Sequence, residues 1–80
     1  MAKVNVYVTF KEGILDPQGQ IAGKALRQLG YDNVEDVRIG KFIELTLDPR
    51  KDLDAEVDEM CRRLLANPII EDFRYEVIGG

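Results

Sequence analysis

Eighty residues, 45% hydrophobic and 32% charged, describe a single packed domain over residues 1–80 and exclude a disordered acidic tail. The formal charge of -4 and a pI near 4.7 exclude a phosphate-tracking basic surface, so neither nucleic acid nor an acidic membrane surface is an expected partner. One cysteine, Cys61, and no histidine exclude an internal disulfide and a Cys/His metal cluster, and remove the commonest general base.

A chain this short buries only about 60 to 65% of its surface, too little to enclose both a substrate pocket and a full core. A partner or an oligomer is the expected remedy. No run of about 18 apolar residues occurs, and Met1-Ala2-Lys3 leads directly into a strand pattern. Neither a spanning helix nor a signal peptide is expected, and the expected location is cytoplasmic.

In chain order, Lys3 to Phe10 alternates, with Val4, Val6, Val8 and Phe10 on one face of a first strand. Lys11-Glu12-Gly13 breaks it. Asp16-Pro17 then supplies an N-cap acceptor and a proline at the first helical position. Ile21, Ala22, Ala25, Leu26 and Leu29 form the apolar stripe of this helix, and Gly30 closes it in the left-handed conformation. Gly19 and Gly23 each cost about 1 kcal/mol relative to alanine. Close packing of the helix on the sheet offsets that cost, or else a contact with another chain does.

Residues 34–48 read as one long strand kinked at Gly40, since Val37, Ile39, Ile43, Leu45 and Leu47 keep one period-two phase through the glycine. Lys41 is the only polar residue in that phase. A two-residue hairpin at Gly40-Lys41 would bring Phe42, Glu44 and Thr46 to the apolar face instead, so only an odd-length loop is a viable alternative. A strand of that length calls for partners beyond a small monomer. Asp48-Pro49-Arg50-Lys51 reads as a turn, and Asp52 caps a second helix. Its stripe is Leu53, Val57, Met60, Cys61, Leu64 and Leu65; Asp58–Arg62 and Glu59–Arg63 form outward pairs, and Arg62 and Arg63 complement the dipole. Asn67-Pro68 ends this helix, and Ile69 to Ile78 is the last strand, with Phe73, Tyr75 and Val77 on one face.

Candidate chemistry is sparse. Arg38 and Lys41 beside a glycine kink could receive a phosphate or carboxylate, or be solvated charges on a sheet face. RNA stacking would need more aromatics than Phe42 alone offers in this stretch. Acylphosphatase-like chemistry would need an arginine in the loop after the first strand, where Lys11-Glu12-Gly13-Ile14-Leu15-Asp16 has none. Asp52 with Asp54, and Glu71 with Asp72, read as helix-start charges and a strand entry. Thr9 and Thr46 have no base to activate them. These residues describe a small, acidic, non-catalytic α+β domain that assembles.

Three ordered stretches resemble the PurS family, the small subunit of phosphoribosylformylglycinamidine (FGAM) synthase. They are Lys3-Val4-Asn5-Val6-Tyr7-Val8 leading to Leu15-Asp16-Pro17-Gln18-Gly19; Asp36-Val37-Arg38-Ile39-Gly40-Lys41 with Glu44-Leu45; and Leu64 through Asp72 around Asn67-Pro68. The resemblance implies a non-catalytic, dimer-forming subunit, as a homodimer or a dimer of dimers, bridging a glutaminase subunit and an ATP-dependent synthetase subunit. It implies no cofactor in this chain, with ATP and Mg held by the synthetase. For such a subunit the interface candidates are Asp16, Pro17, Gln18 and Gly19, then Arg38, Gly40 and Lys41, then Asn67 and Pro68. The expected fold is α+β, strand, helix, long kinked strand, helix, strand, related to ferredoxin-like topology. Alternatives from other classes are an ACT-like metabolite-binding regulatory dimer and a small hydrolase.

Overall fold

The computed structural model describes residues 1–48 and 52–79, so most of the expected turn at Asp48-Pro49-Arg50-Lys51 lies outside the described residues. Five regular elements follow one another: β1 (Ala2–Phe10), α1 (Pro17–Gln28), β2 (Lys41–Leu47), α2 (Leu53–Met60) and β3 (Glu71–Gly79). A π-helical turn, Cys61–Leu65, continues α2 and closes with Ala66 N–H donating to the Cys61 carbonyl at 2.9 Å.

The sheet has the order β2-β1-β3, with both pairs antiparallel. Val4 and Val6 lie opposite Leu45 and Ile43 on β2, and opposite Val77 and Tyr75 on β3. Opposed residues share a face, so the alternation in each strand builds one apolar layer. α2 covers that layer. Val4, Val6, Val8, Val57 and Cys61 are fully buried, with Ile43, Leu53, Leu65, Phe73 and Tyr75 packed against them. Cys61 is therefore a core residue, and burial pushes its thiol pKa up.

The long strand is shorter than the alternation implied. Its ladder begins only at Lys41, and residues 34–40 pair with no strand. No hairpin forms around Gly40 either. The physical reason lies in the length of β1: it ends at Phe10, so in the register Val8↔Lys41 only residues 39 and 40 could still lie opposite it, and 34–38 run past its end. The last strand likewise begins at Glu71, because Ile70 and Glu71 N–H groups turn back onto the Asn67 carbonyl.

α1 departs from expectation in its packing. Asp16 caps it, Pro17 occupies its first turn and Gly30 (φ 103°) ends it, with Tyr31 N–H bonded to Leu26 O and Gly30 N–H to Arg27 O, the paired bonds of a Schellman cap. Gly19 and Gly23 do not face the sheet. They face residue 37: a Cβ on Gly19 would run into the Val37 carbonyl, and one on Gly23 would lie 3.5 Å from a Val37 methyl. Ile21 and Leu29 remain 71% and 75% exposed. α1 and residues 34–39 thus form an arm beside the sheet, and the molecule measures 50 × 26 × 14 Å with a radius of gyration of 16.0 Å. A compact chain of this length would have about 12 Å.

Candidate functional site

The three corners selected from the sequence converge on one end of the sheet. β1 ends there at Phe10 opposite Glu71, and β2 begins there with Lys41 opposite Val8. The Asp16 carboxylate joins the first corner to the second: one oxygen accepts from Gly19 N–H at 2.9 Å and the other from Ile39 N–H at 2.8 Å. Those two amide bonds, Ile39 first, hold its carboxyl pKa below the usual range, with Arg38 adding to the effect. Gln18 and Pro17 stay exposed on the same first turn.

Arg38 donates to the Phe10 carbonyl at the end of β1, so the guanidinium fastens the arm to the sheet. Lys41 reaches the other way, its Nζ donating to the Leu65 carbonyl at 3.0 Å. This explains the one polar residue in an apolar phase: the inward-directed lysine satisfies a carbonyl at the C-terminal end of the α2 helix, where positive charge is favoured. Gly40 stands between them for a steric reason. Its φ is not in the left-handed region; instead, a Cβ there would strike the Val8 carbonyl.

At the third corner the Asn67 side-chain oxygen accepts from Ile69 N–H at 3.1 Å, and Glu71 accepts from Asn67 N–H at 2.7 Å. Lys11 binds the corner to β1, through its N–H to the Ile70 carbonyl at 2.9 Å and its Nζ to Asp72 at 2.8 Å. The carboxylates considered as acid/base pairs therefore carry structural bonds: Asp52 accepts from Asp54 N–H at 3.1 Å, Glu71 holds Asn67, and Asp72 holds Lys11.

A second cluster escaped the sequence. On the sheet face away from α2, Tyr7 packs on Phe42 with ring centroids 5.3 Å apart, Arg74 lies over Tyr7 at 4.0 Å, and the Tyr7 hydroxyl donates to Glu76 at 2.8 Å. The Glu76 hydrogen bond and charge raise the tyrosine pKa. Alternation alone places Tyr7 outward, but only the register Tyr7↔Phe42 and Tyr7↔Arg74 brings the four together.

Among the described residues no helix is long and apolar enough to cross a membrane, and no group of His, Cys, Asp and Glu side chains could hold a metal ion. The corners present backbone turns and committed polar groups rather than a reacting pair. Against known proteins, residues 3–79 match the family PurS, phosphoribosylformylglycinamidine (FGAM) synthase. This chain belongs to the PurS family. The PurS subunit of Bacillus subtilis strain 168 is 56% identical over 78 residues, which cover 96% of this chain and 93% of that one. A solved B. subtilis PurS structure superposes with a TM-score of 0.91 at 56% identity, over 98% of this chain and 99% of that one. A chain in the structure of PurLQS from Thermotoga maritima is similar at a TM-score of 0.81 and 25% identity, covering 96% of each. The α+β architecture is thus that of PurS, with three antiparallel strands and two helices.

Proposed function

We propose that this PurS chain is the small non-catalytic subunit of FGAM synthase in purine biosynthesis, acting in the cytoplasm to bridge the glutaminase and ATP-dependent synthetase subunits. Ammonia released from glutamine then converts formylglycinamide ribonucleotide to its amidine, with ATP and Mg held by the synthetase and none by this chain. The observation that carries this reading is the convergence of Asp16-Pro17-Gln18-Gly19, Arg38-Gly40-Lys41 and Asn67-Pro68 on one sheet end, rigid because their polar groups are spent on backbone amides and carbonyls. A surface so fixed suits docking, where preorganisation lowers the cost of association.

The assembling unit is a dimer or a dimer of dimers. Two features support this: the outer edge of β2 has no strand beside it among the described residues, and the molecule is far from compact for its length. The test mixes the chain with purified glutaminase and synthetase subunits and follows glutamine-dependent ADP formation. Activity that requires the chain, with the chain alone inert, is the expected result. Activity indifferent to it, together with saturable stabilisation by an amino acid, would favour the ACT-like sensor. Replacing Arg38 and Lys41 by alanine should leave the sheet core folded, release the arm from the Phe10 carbonyl and weaken assembly. An unchanged complex would remove the second corner from the interface.

A further inference from the structure

α2 does not end as its apolar spacing implies. At about 100° per residue, an α-helix continued from Val57 would set Cys61 about 40° to one side of it and Leu64 about 20° to the other, inside the core stripe, with Leu65 at the margin about 80° away. The structure has the reverse. Leu64 is 83% exposed, whereas Leu65 packs against the buried cluster and Ala66 is itself buried. The exchange is made by the π-helical turn Cys61–Leu65, where the Cys61 carbonyl accepts from Ala66 N–H at 2.9 Å, one residue later than in an α-helix. The wider turn swings Leu65 toward the sheet and Leu64 away from it.

A π turn is uncommon at the end of an α-helix, so a contact from outside the helix is needed to favour it. The last carbonyls of a helix have no partner within it, and the Leu65 carbonyl finds one in Lys41 Nζ at 3.0 Å. β2 places the lysine for this: position 41 lies opposite buried Val8, in the same phase as Ile43, Leu45 and Leu47, which pack against the core. Arg62 and Arg63, the cations within the turn itself, are paired with Asp58 at 2.8 Å and Glu59 at 3.0 Å. The cation serving this helix end therefore comes from the sheet. An α-helical ending would turn Leu65 off the core side and take its carbonyl away from the lysine.

We propose that Lys41 is a positioning residue: its bond to the Leu65 carbonyl selects the π-helical over the α-helical ending of α2, and so decides that Leu65 faces the sheet, that Leu64 faces out, and where the Asn67–Pro68 corner begins. Asn67 follows the held carbonyl by two residues, and its side-chain oxygen and N–H are fixed to Ile69 N–H and Glu71. A change of helix ending therefore moves the corner as one piece. Lys41 joins the second corner to the third from inside, with its charge spent within the chain rather than offered to a partner. The consequence for docking rests on the assembly-subunit reading; the choice of helix ending does not.

NMR couplings across hydrogen bonds in the full chain read the helix ending directly. In the parent the Ala66 amide should couple to the Cys61 carbonyl. In Lys41→Met, whose side chain suits the apolar phase, that coupling should disappear and the Leu65 amide should take it over; Lys41→Arg, which can still donate to a carbonyl, should keep the parent pattern. A lysine that only adds stability would lower the melting temperature without moving the coupling. As a second reading, Leu65→Ala should lower the denaturant midpoint several-fold more than Leu64→Ala in the parent, and the order should reverse beside Lys41→Met. Retention of the Ala66-to-Cys61 coupling in Lys41→Met overturns the proposal, as does a parent in which Leu64→Ala is the costlier change. The docking consequence is scored separately: with the two partner subunits, Lys41→Met should need several-fold more chain for half-maximal glutamine-dependent ADP formation. A moved coupling beside an unchanged titration overturns that consequence alone, and ADP formation that does not require this chain overturns the assembly reading.

Discussion

Where the sheet meets α2, five side chains are fully buried; in the arm from Lys11 to Gly40, the only buried residues are Gly19 and Gly23, which have no side chain to bury. The first region is held by apolar area removed from water, which is non-directional and tolerant of small shifts. The second is held by close backbone approach and by three polar side chains, Asp16, Arg27 and Arg38, aimed at backbone groups. Such a region keeps its shape only while each of a few contacts is made. The difference separates tasks: the sheet supplies stability, and the arm holds its shape while leaving Ile21 and Leu29 exposed.

The comparison breaks most sharply in the core. Val6→Asp buries an unpaired carboxylate at a fully enclosed site, costs several kcal/mol, and should abolish the folded circular-dichroism signal at neutral pH. A folded variant at pH 7 would show that the sheet is not the source of stability. Gly40→Val tests the junction between the regions. Its Cβ meets the Val8 carbonyl, and the resulting shift between β1 and β2 should cost about 2 kcal/mol, read as a lower denaturant midpoint at unchanged slope.

Acid should loosen the arm before the sheet. Asp16 has a lowered pKa in the folded chain, so its contribution is fully present above the unfolded carboxylate value of about 3.9 and is lost as pH falls through the folded value. Protection of the Gly19 and Ile39 amides, measured against their intrinsic exchange rates, should therefore fall below about pH 3.9 while Val6 stays protected, and Asp16→Asn should abolish that pH dependence. Parallel loss of protection in both regions would merge them into one cooperative unit. The smallest effect belongs to the surface of α2, where Glu59→Ala removes an exposed pair with Arg63 and should change stability by only a few tenths of a kcal/mol in a thermal melt.

The sheet region was legible because its rules are local. Alternation identified Val4, Val6 and Val8, helical spacing identified Val57 and Cys61, and the caps at Asp16, Gly30 and Asp52 follow from residue type. Spacing also revealed the apolar stripe of α1 but not what it faces, since a stripe is equally apolar whether its cover lies in the same chain or another. The length of β2 was overread for a related reason: period two persists through residues 37–47, yet a ladder needs a neighbouring strand, and β1 ends at Phe10, about level with residue 39. The three corners were visible as turn chemistry, while their convergence required the register of β1 with both neighbours. Tyr7, Phe42, Arg74 and Glu76 are spread over 70 positions, and no local pattern links them.

The central position of β1 has a consequence in time. The strand that both other strands depend on precedes them in the chain, and its pairing partner Glu71–Gly79 is made more than 60 residues after it. Until then Val4, Val6 and Val8 have one strand edge at most to join and no complete layer above them. Local structure such as α1 and its cap can form as it emerges, whereas the closing of the β1–β3 ladder joins residues more than 60 positions apart and sets a slow final step. Val4, Val6 and Val8 therefore wait for their second strand edge until β3 has been made, and the nine residues Glu71–Gly79 complete the layer.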